Sequence, residues 1–196
     1  NLQLFPLHAL AQGERVSYTL ATMGHLDALW KTVVLPLEAS SRGAETFFYN
    51  PHNFWAYLPE RKASEDAYYR CFTEGSGRQG FFVVGGHSAA DKEFKQSHQG
   101  KYLQIDLRDV ASLGRTTHIT VLGALIVTAR LPKATTTQID ELYTSQKPMN
   151  DILPKIVDTC RSSGTLRLTV ENNPQKAAHL KSILSKNFHF KKNRHV

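Results

Sequence analysis

Short segments in which apolar and polar residues alternate, or in which apolar residues run together, predict the strands of this chain. Arg15 to Ala21 and Thr165 to Val170 alternate and are rich in strand-forming residues. Phe81 to Val84 is a continuous apolar run beside glycines, which is typical of a strand buried on both faces. The pattern also predicts strands over Tyr102 to Leu107 and over Leu122 to Leu131.

Two shorter strands are predicted nearer the C-terminus. Ile139 to Thr144 follows a threonine-rich turn, and Phe188 and Phe190 alternate with polar neighbours. Between residues 40 and 59 the chain is aromatic and is interrupted by Pro51 and Pro59, so an irregular connection is predicted there.

Apolar residues at intervals of three and four predict four helices. The first follows the capping residue Thr22, and the second begins at Ser64. The third carries its apolar face over 152–160, and the fourth follows Asn173, whose side chain caps it. The polar segment 87–100 is predicted to be a loop or a short surface helix.

This order of elements predicts a mixed α/β (α+β) fold, with a central mixed sheet of about six or seven strands flanked by helices. The length of 196 residues fits a single domain over 1–196. Hydrophobic residues make up 41% of the chain, which excludes a mainly disordered protein. No apolar run is long enough to span a membrane, so the expectation is a soluble, cytoplasmic protein, with upstream targeting sequence left open.

The remaining composition bears on chemistry. Cys71 and Cys160 do not make a disulfide framework, and no cysteine–histidine spacing predicts a metal site. The formal net charge is +7, and basic residues concentrate at the C-terminal end. Such charge suits nucleic acid or a phosphate-rich cofactor equally. An RNA-directed activity that uses His87 or His189 is therefore one alternative.

The segments YTLATMGHLDALW, IDELYT, TLRLTV and KNFHF follow one another in an order that resembles the GCN5-related N-acetyltransferase (GNAT) superfamily. The resemblance implies a GNAT-like fold with insertions near 40–62 and 87–118. It also implies an acyl-CoA-dependent N-acyltransferase that transfers an acetyl or other acyl group to an amine, carried by a small molecule or a protein.

The family binds the pyrophosphate of acetyl-CoA in a glycine-containing loop between a strand and a helix, where free backbone amides meet the helix dipole. The matching segment here begins with Gln146. The resemblance therefore implies that acetyl-CoA or another acyl-CoA is bound by Leu142, Gln146, Lys147, Met149, Asn150, Asp151 and Asn173.

The resemblance also implies where catalysis takes place. Asp140 and Glu141 both lie on the predicted strand that carries the catalytic carboxylate in the family, where alternation lets only one of them point into the cleft. Glu141 is the expected general base.

Many family members place the acid for the leaving thiolate, a Tyr, in the last helix, but the matching region Leu180 to Leu184 has none, so Tyr143 or Cys160 would substitute for it. Strand amides near Leu142 and Tyr143 would polarise the thioester. Met149 and Asp151 occupy the two glycine positions of the loop, which favours a second hypothesis, a non-catalytic binding protein of the same fold.

Overall fold

The structure is a computed structural model, and it describes residues 10–36, 45–73, 78–162 and 164–190. The described strands are β1 (Arg15–Leu20), β2 (Glu45–Asn50), β3 (Gln79–Val84), β4 (Leu103–Leu107), β5 (Thr117–Leu122), β6 (Leu125–Arg130) and β7 (Leu166–Asn172). The described α-helices are α1 (Met23–Leu29), α2 (Lys62–Thr73), α3 (Ala89–His98), α4 (Lys133–Thr144), α5 (Met149–Arg161) and α6 (Pro174–Leu184). The predicted mixed α/β fold, with a mixed sheet flanked by helices, is confirmed.

The seven strands form one sheet in the order β1-β7-β6-β5-β2-β3-β4. β2, β3 and β4 are parallel to one another, and the other neighbours in the sheet are antiparallel. α2 and α3 connect the parallel strands. The turns that follow β2 and β3 therefore lie at the same edge of the sheet, which we call the carboxyl edge.

The two faces of the sheet are covered unequally. Apolar side chains of α1, α4 and α5 pack on one face over β1, β7 and β6, and those of α2 and α3 pack on the same face over β2, β3 and β4. On the opposite face α6 packs against β2, β3, β5 and β6. Part of that face, on β1 and β7, carries exposed polar side chains.

The prediction of an irregular connection over 40–59 is wrong for residues 45–50, whereas residues 51–59 do connect β2 to α2, through turns and the short 3₁₀ helix Phe54–Tyr57. Residues Glu45–Asn50 form β2, which lies between β5 and β3 in the sheet. The side chains from Thr46 to Tyr49 are all buried, so the alternation that reveals a half-buried strand is missing. Residues 40–44 lie outside the described part of the chain, and the insertion near 40–62 stays a prediction.

The predicted strand Ile139–Thr144 is also wrong, because these residues are the second half of helix α4. Thr135, Thr136, Ile139 and Tyr143 are buried in this helix, at positions that share one helical face. The threonines that seemed to form a turn are part of this face. Six residues taken alone are too few to separate a helical period from strand alternation.

The last predicted strand, at Phe188 and Phe190, is absent from the described sheet. Gln104 holds this segment instead: its side chain donates to the carbonyl of His189 and accepts from its amide, at 2.7 and 3.0 Å. Phe188 and Phe190 pack against Phe81, with ring centroids 5.3 and 4.8 Å away. Both phenylalanines therefore reach the same side of the sheet without pairing in it.

The predicted strand Leu122–Leu131 begins too early. Leu122 ends β5, a strand that was not predicted, and residues 125–130 form β6. Gly123 has a φ of 60°, so it allows the tight turn between the two strands. The segment 87–118, proposed as an insertion, contains α3, β4 and the start of β5.

Candidate active site

Four charged or titratable side chains meet at the carboxyl edge, and we call them the His52 cluster: His52, Asp91, Arg115 and Asp140. They come from the turn after β2, the first turn of α3, the segment before β5 and the middle of α4. In sheets with parallel strands, ligands bind outside the carboxyl ends of those strands. The cluster therefore lies where this architecture places a functional site.

Asp91 fixes one side of the imidazole. Its carboxylate lies 3.1 Å from His52 Nδ1, and it accepts hydrogen bonds from the amide and hydroxyl of Ser88 at 3.1 and 2.7 Å. Ser88 in turn caps α3 by accepting from the Asp91 amide, which completes a capping box. Because a carboxylate accepts hydrogen bonds, this contact favours the tautomer in which Nδ1 carries the proton.

The other nitrogen of the ring has two partners of opposite kind. His52 Nε2 lies 2.6 Å from Arg115 Nη2 and 3.1 Å from Asp140 Oδ1. Arg115 Nη2 also donates to Asp140 Oδ1 at 2.6 Å, and Nη1 donates to the carbonyl of Gly85. A neutral Nε2 accepts from the guanidinium, whereas a protonated Nε2 donates to the carboxylate.

The charges of Arg115 and Asp140 stabilise each other at the rim of the cluster. Burial acts to raise the pKa of Asp140, but hydrogen bonds from His52 and Arg115 outweigh it and hold the pKa below its usual range. For Arg115 burial acts to lower the pKa, and the hydrogen bond to Asp140 leaves it raised. Both groups are therefore ionised at neutral pH.

The imidazole of His52 is covered on one face by Tyr143, and little free space remains around its Nε2 edge. The ring of Tyr143 stacks on it, with the centroids 3.8 Å apart. The crevice between His52, Arg115 and Asp140 holds about 10 Å³ of free space. That is room for about one water molecule, so a larger ligand reaches Nε2 only after the Arg115 and Asp140 side chains turn outward.

Gly86 is a glycine because the cluster leaves no space for a side chain. A Cβ at this position would lie 2.3 Å from Asp91 Oδ2 and 2.9 Å from His52 Cε1. We expect Gly86→Ala to lower the free energy of unfolding by about 1 to 3 kcal/mol, the usual cost of overpacking. Urea unfolding measures the change. Gly24→Ala is the control, because its nearest neighbour is 3.7 Å away, and equal losses in both variants would contradict the prediction.

His118 lies beside the cluster and stays neutral. It is buried, and its Nδ1 accepts a hydrogen bond from Trp55 Nε1 at 3.1 Å. Burial, followed by electrostatic interactions with His52 and Arg115, lowers the pKa of His118 from 6.5 to about 3. Between pH 3 and pH 6.5, His118 is therefore protonated in the unfolded chain and neutral in the folded protein.

This difference predicts a loss of stability in mild acid. As the pH falls below 6.5, His118 costs about 1.4 kcal/mol per pH unit, or about 2 kcal/mol at pH 5 relative to pH 7. His118→Asn keeps an acceptor for Trp55 but does not titrate, so we expect its stability to fall less over this range. Urea unfolding at pH 7 and pH 5 measures both slopes, and identical slopes would contradict the assignment.

The predicted catalytic residues lie on α4 rather than on a strand. Glu141 is exposed to solvent, and Leu142 is half-buried. Their amides belong to a helix and are bonded within it, so they do not form the strand amides expected to polarise a thioester. Tyr143 is 2% exposed, and burial raises the pKa of its hydroxyl well above the usual value. Of the predicted residues, Tyr143 alone contacts the His52 cluster.

The predicted acyl-CoA loop is the turn between α4 and α5. Gln146 and Lys147 are exposed there, and Gln146 has a φ of 55°. The amide of Met149 donates to the carboxylate of Glu93 at 3.1 Å, and Pro148 has no amide hydrogen. This turn does not fit a pyrophosphate, because a carboxylate already takes its first free amide.

The other residues implied by the family resemblance are also accounted for. Asn150 and Asp151 are exposed in the first turn of α5. Asn173 caps α6 by accepting from the amide of Lys176 at 3.0 Å, as the sequence predicted for its simplest role. The acyl-CoA site stays a prediction without structural support.

Sequence reasoning missed His52, Arg115 and the role of Asp91. The glycine-containing turn at Gly85 and Gly86 was recognised, but attention went to His87, which is exposed and outside the cluster. The sequence signal available for His52 was its position shortly after the aromatic run Phe47–Tyr49. That signal was hidden because β2 was not recognised.

Comparison with known proteins gives no family for the chain. No protein-family model matches it, and no curated protein is significantly similar to it. Within the described ranges, no helix is long and apolar enough to cross a membrane. The same residues hold no group of three or more His, Cys, Asp or Glu side chains arranged for a metal ion. The candidate site therefore depends on its own geometry.

Proposed function

We propose that this protein is an acid–base enzyme that transfers a proton through His52 Nε2, on a substrate whose anionic group binds Arg115. One observation carries the proposal: Nε2 has a hydrogen-bond donor at 2.6 Å and an acceptor at 3.1 Å. The imidazole therefore has a partner in both protonation states, which a group that alternately accepts and releases a proton requires.

Asp91 supports this role as a positioning residue. It is buried at 1% exposure and holds Nδ1, so proton exchange is confined to Nε2. The carboxylate also stabilises the imidazolium after a proton arrives, as the third member of a nucleophile–base–acid arrangement does. Because Ser88 and the helix cap hold Asp91, the ring keeps one orientation.

Arg115 and Asp140 define the substrate class. Asp140 Oδ1 lies within 3.1 Å of Nε2 and 2.6 Å of the guanidinium, at the position where the anionic group of a substrate would bind both. A guanidinium binds carboxylate and phosphate in the same planar geometry. When a phosphate or carboxylate of the substrate replaces Asp140, its neighbouring proton-bearing atom comes next to Nε2.

N-acyl transfer, the activity implied by the family resemblance, needs a general base for the amine, and His52 is chemically suited to this step. No described contact favours CoA as the donor, since the turn after α4 does not fit its pyrophosphate. Acetyl-CoA is therefore one arm of the test.

Calorimetric titration tests the anion site with inorganic phosphate, pyrophosphate, acetate and acetyl-CoA as probes. We expect phosphate or acetate to bind the parent, and the Kd to rise at least about tenfold in Arg115→Gln, because a charge-assisted hydrogen bond contributes about 1.5 kcal/mol or more. Arg161→Gln is the control, since Arg161 is exposed and pairs with Glu60 on the surface. Thermal unfolding of each variant checks the fold.

The comparison among probes separates the substrate classes. Tighter binding of phosphate indicates a phosphate ester, and tighter binding of acetate indicates a carboxylate substrate. If acetyl-CoA still releases or absorbs binding heat with the Arg115→Gln variant, it binds at a site separate from Arg115. Absence of binding by every probe, or equal binding by the Arg115 and Arg161 variants, would contradict the proposal.

A further inference from the structure

The sheet has an exposed polar surface on the side of α6, which we call the open face. It consists of the outward side chains of β1, β7 and β6: Arg15, Ser17, Thr19, Arg167, Thr169, Glu171, Thr128 and Arg130. These side chains lie on the same face of the sheet as Ile126, which α6 covers. This surface is independent of the proposed proton-transfer site, which lies above the carboxyl edge.

The strand register places like charges next to each other on the open face. Arg130 of β6 is the direct partner of Arg167 on β7, and both side chains are exposed. Like charges directly opposite each other destabilise a sheet. Neither guanidinium group forms a hydrogen bond or an ion pair with any other residue that the structure describes. The two guanidinium groups therefore leave their donors available to a ligand.

The rest of the open face adds positive charge and hydroxyl groups. Arg15 is the direct strand partner of Glu171, but the carboxylate of Glu171 pairs with Lys176 of α6. Cations thus outnumber carboxylates, with Arg15, Arg130, Arg167 and Lys176 against Glu171. Ser17 and Thr169 occupy the row between the charges and share a hydrogen bond of 3.0 Å.

We propose that the open face binds the phosphate backbone of a nucleic-acid duplex. Phosphates supply the anions that the Arg130–Arg167 pair lacks, and arginine matches their geometry with two parallel hydrogen bonds. Proteins that bind single strands stack the bases on aromatic side chains. The described residues of the open face include no aromatic ring, so contacts to phosphate and sugar of a duplex fit it better.

Fluorescence anisotropy with labelled 20-base-pair RNA and DNA duplexes tests this proposal over a series of KCl concentrations. We expect the double variant Arg130→Gln/Arg167→Gln to raise the Kd at least about tenfold. Its plot of log K against log salt should flatten by about 2, since each lost phosphate contact removes about 0.9. The control Lys62→Gln/Arg161→Gln removes the same charge from α2 and α5 on the other face, and its affinity should stay within about twofold.

Thermal unfolding without nucleic acid shows whether the variants fold. The double variant loses a like-charge pair, so its Tm should not fall. Equal affinity of the double variant and the parent, or no binding by the parent at low salt, would overturn the proposal. So would displacement of the duplex by poly-glutamate at equal charge concentration. A preference for RNA over DNA would assign the hydroxyl row to the sugar 2′-OH, and equal binding would assign the contacts to phosphate alone; both support the proposal.

Discussion

Replacing Asp91 with alanine is expected to lower the free energy of unfolding by about 3 to 5 kcal/mol, the usual effect of breaking a buried charged pair. Asp91 is 1% exposed, and its carboxylate accepts from the Ser88 amide, the Ser88 hydroxyl and His52. Alanine would leave these donors buried without a partner, and it would remove half of the capping box of α3.

Chemical denaturation of Asp91→Ala and of a control variant shows whether the loss of stability exceeds that of removing any carboxylate from the first turn of a helix. Asp151 also lies in the first turn of a helix, but it is exposed. Asp151→Ala should therefore cost only about 0.3 to 1 kcal/mol, through the helix dipole. Asp91→Asn should fall between the two, since it keeps an acceptor and loses the charge. Similar losses for Asp91→Ala and Asp151→Ala would show that the His52 cluster adds nothing to stability.

Replacing His52 with glutamine is expected to lower the rate of the reaction by about 10² to 10⁴-fold, the typical contribution of a positioned acid or base. A panel of p-nitrophenyl phosphate, bis(p-nitrophenyl) phosphate and mono-p-nitrophenyl succinate provides a first substrate for the phosphate monoester, phosphate diester and carboxylate classes. Glutamine donates and accepts hydrogen bonds but does not titrate at neutral pH, so it removes the proton transfer while retaining polarity.

His87 supplies the control for this experiment. It lies in the same turn as Gly86 but is exposed and outside the cluster, so His87→Gln should keep the parental rate. A His52→Gln variant that is folded and as active as the parent would refute the role of His52. A loss in His87→Gln instead would assign the chemistry to the exposed histidine.

The fold was predictable where a strand shows clear alternation, or a continuous apolar run beside glycines as in β3. β1 and β7 show the clean alternation of strands that are half-buried, and both were found from it. β2 was missed because its buried aromatic run, Phe47–Tyr49, is only three residues long and lies close to Pro51 and Pro59, which indicated a connection. His52 lies in the turn directly after β2, so missing this strand also hid the position of His52.

The candidate site was less predictable because its members are far apart in the chain. Asp91 and Asp140 are ordinary acidic residues in helical sequence, and only the packing of α3 and α4 at the carboxyl edge brings both to His52. The assignment of 139–144 to a strand also put Glu141 forward in place of Asp140. On a helix these two neighbours point in different directions, and Asp140 is the one that faces the cluster.

The central claim is that Nε2 of His52 exchanges its proton next to an anion site, while Nδ1 stays fixed by Asp91. Nitrogen-15 NMR of the imidazole, recorded at constant pH while inorganic phosphate is added, tests it most directly. We expect the Nε2 resonance to move with phosphate, the Nδ1 resonance to stay that of a protonated, hydrogen-bonded nitrogen, and the movement to disappear in Arg115→Gln. An Nε2 resonance that ignores phosphate and acetate, or that moves equally in Arg115→Gln, would contradict the account.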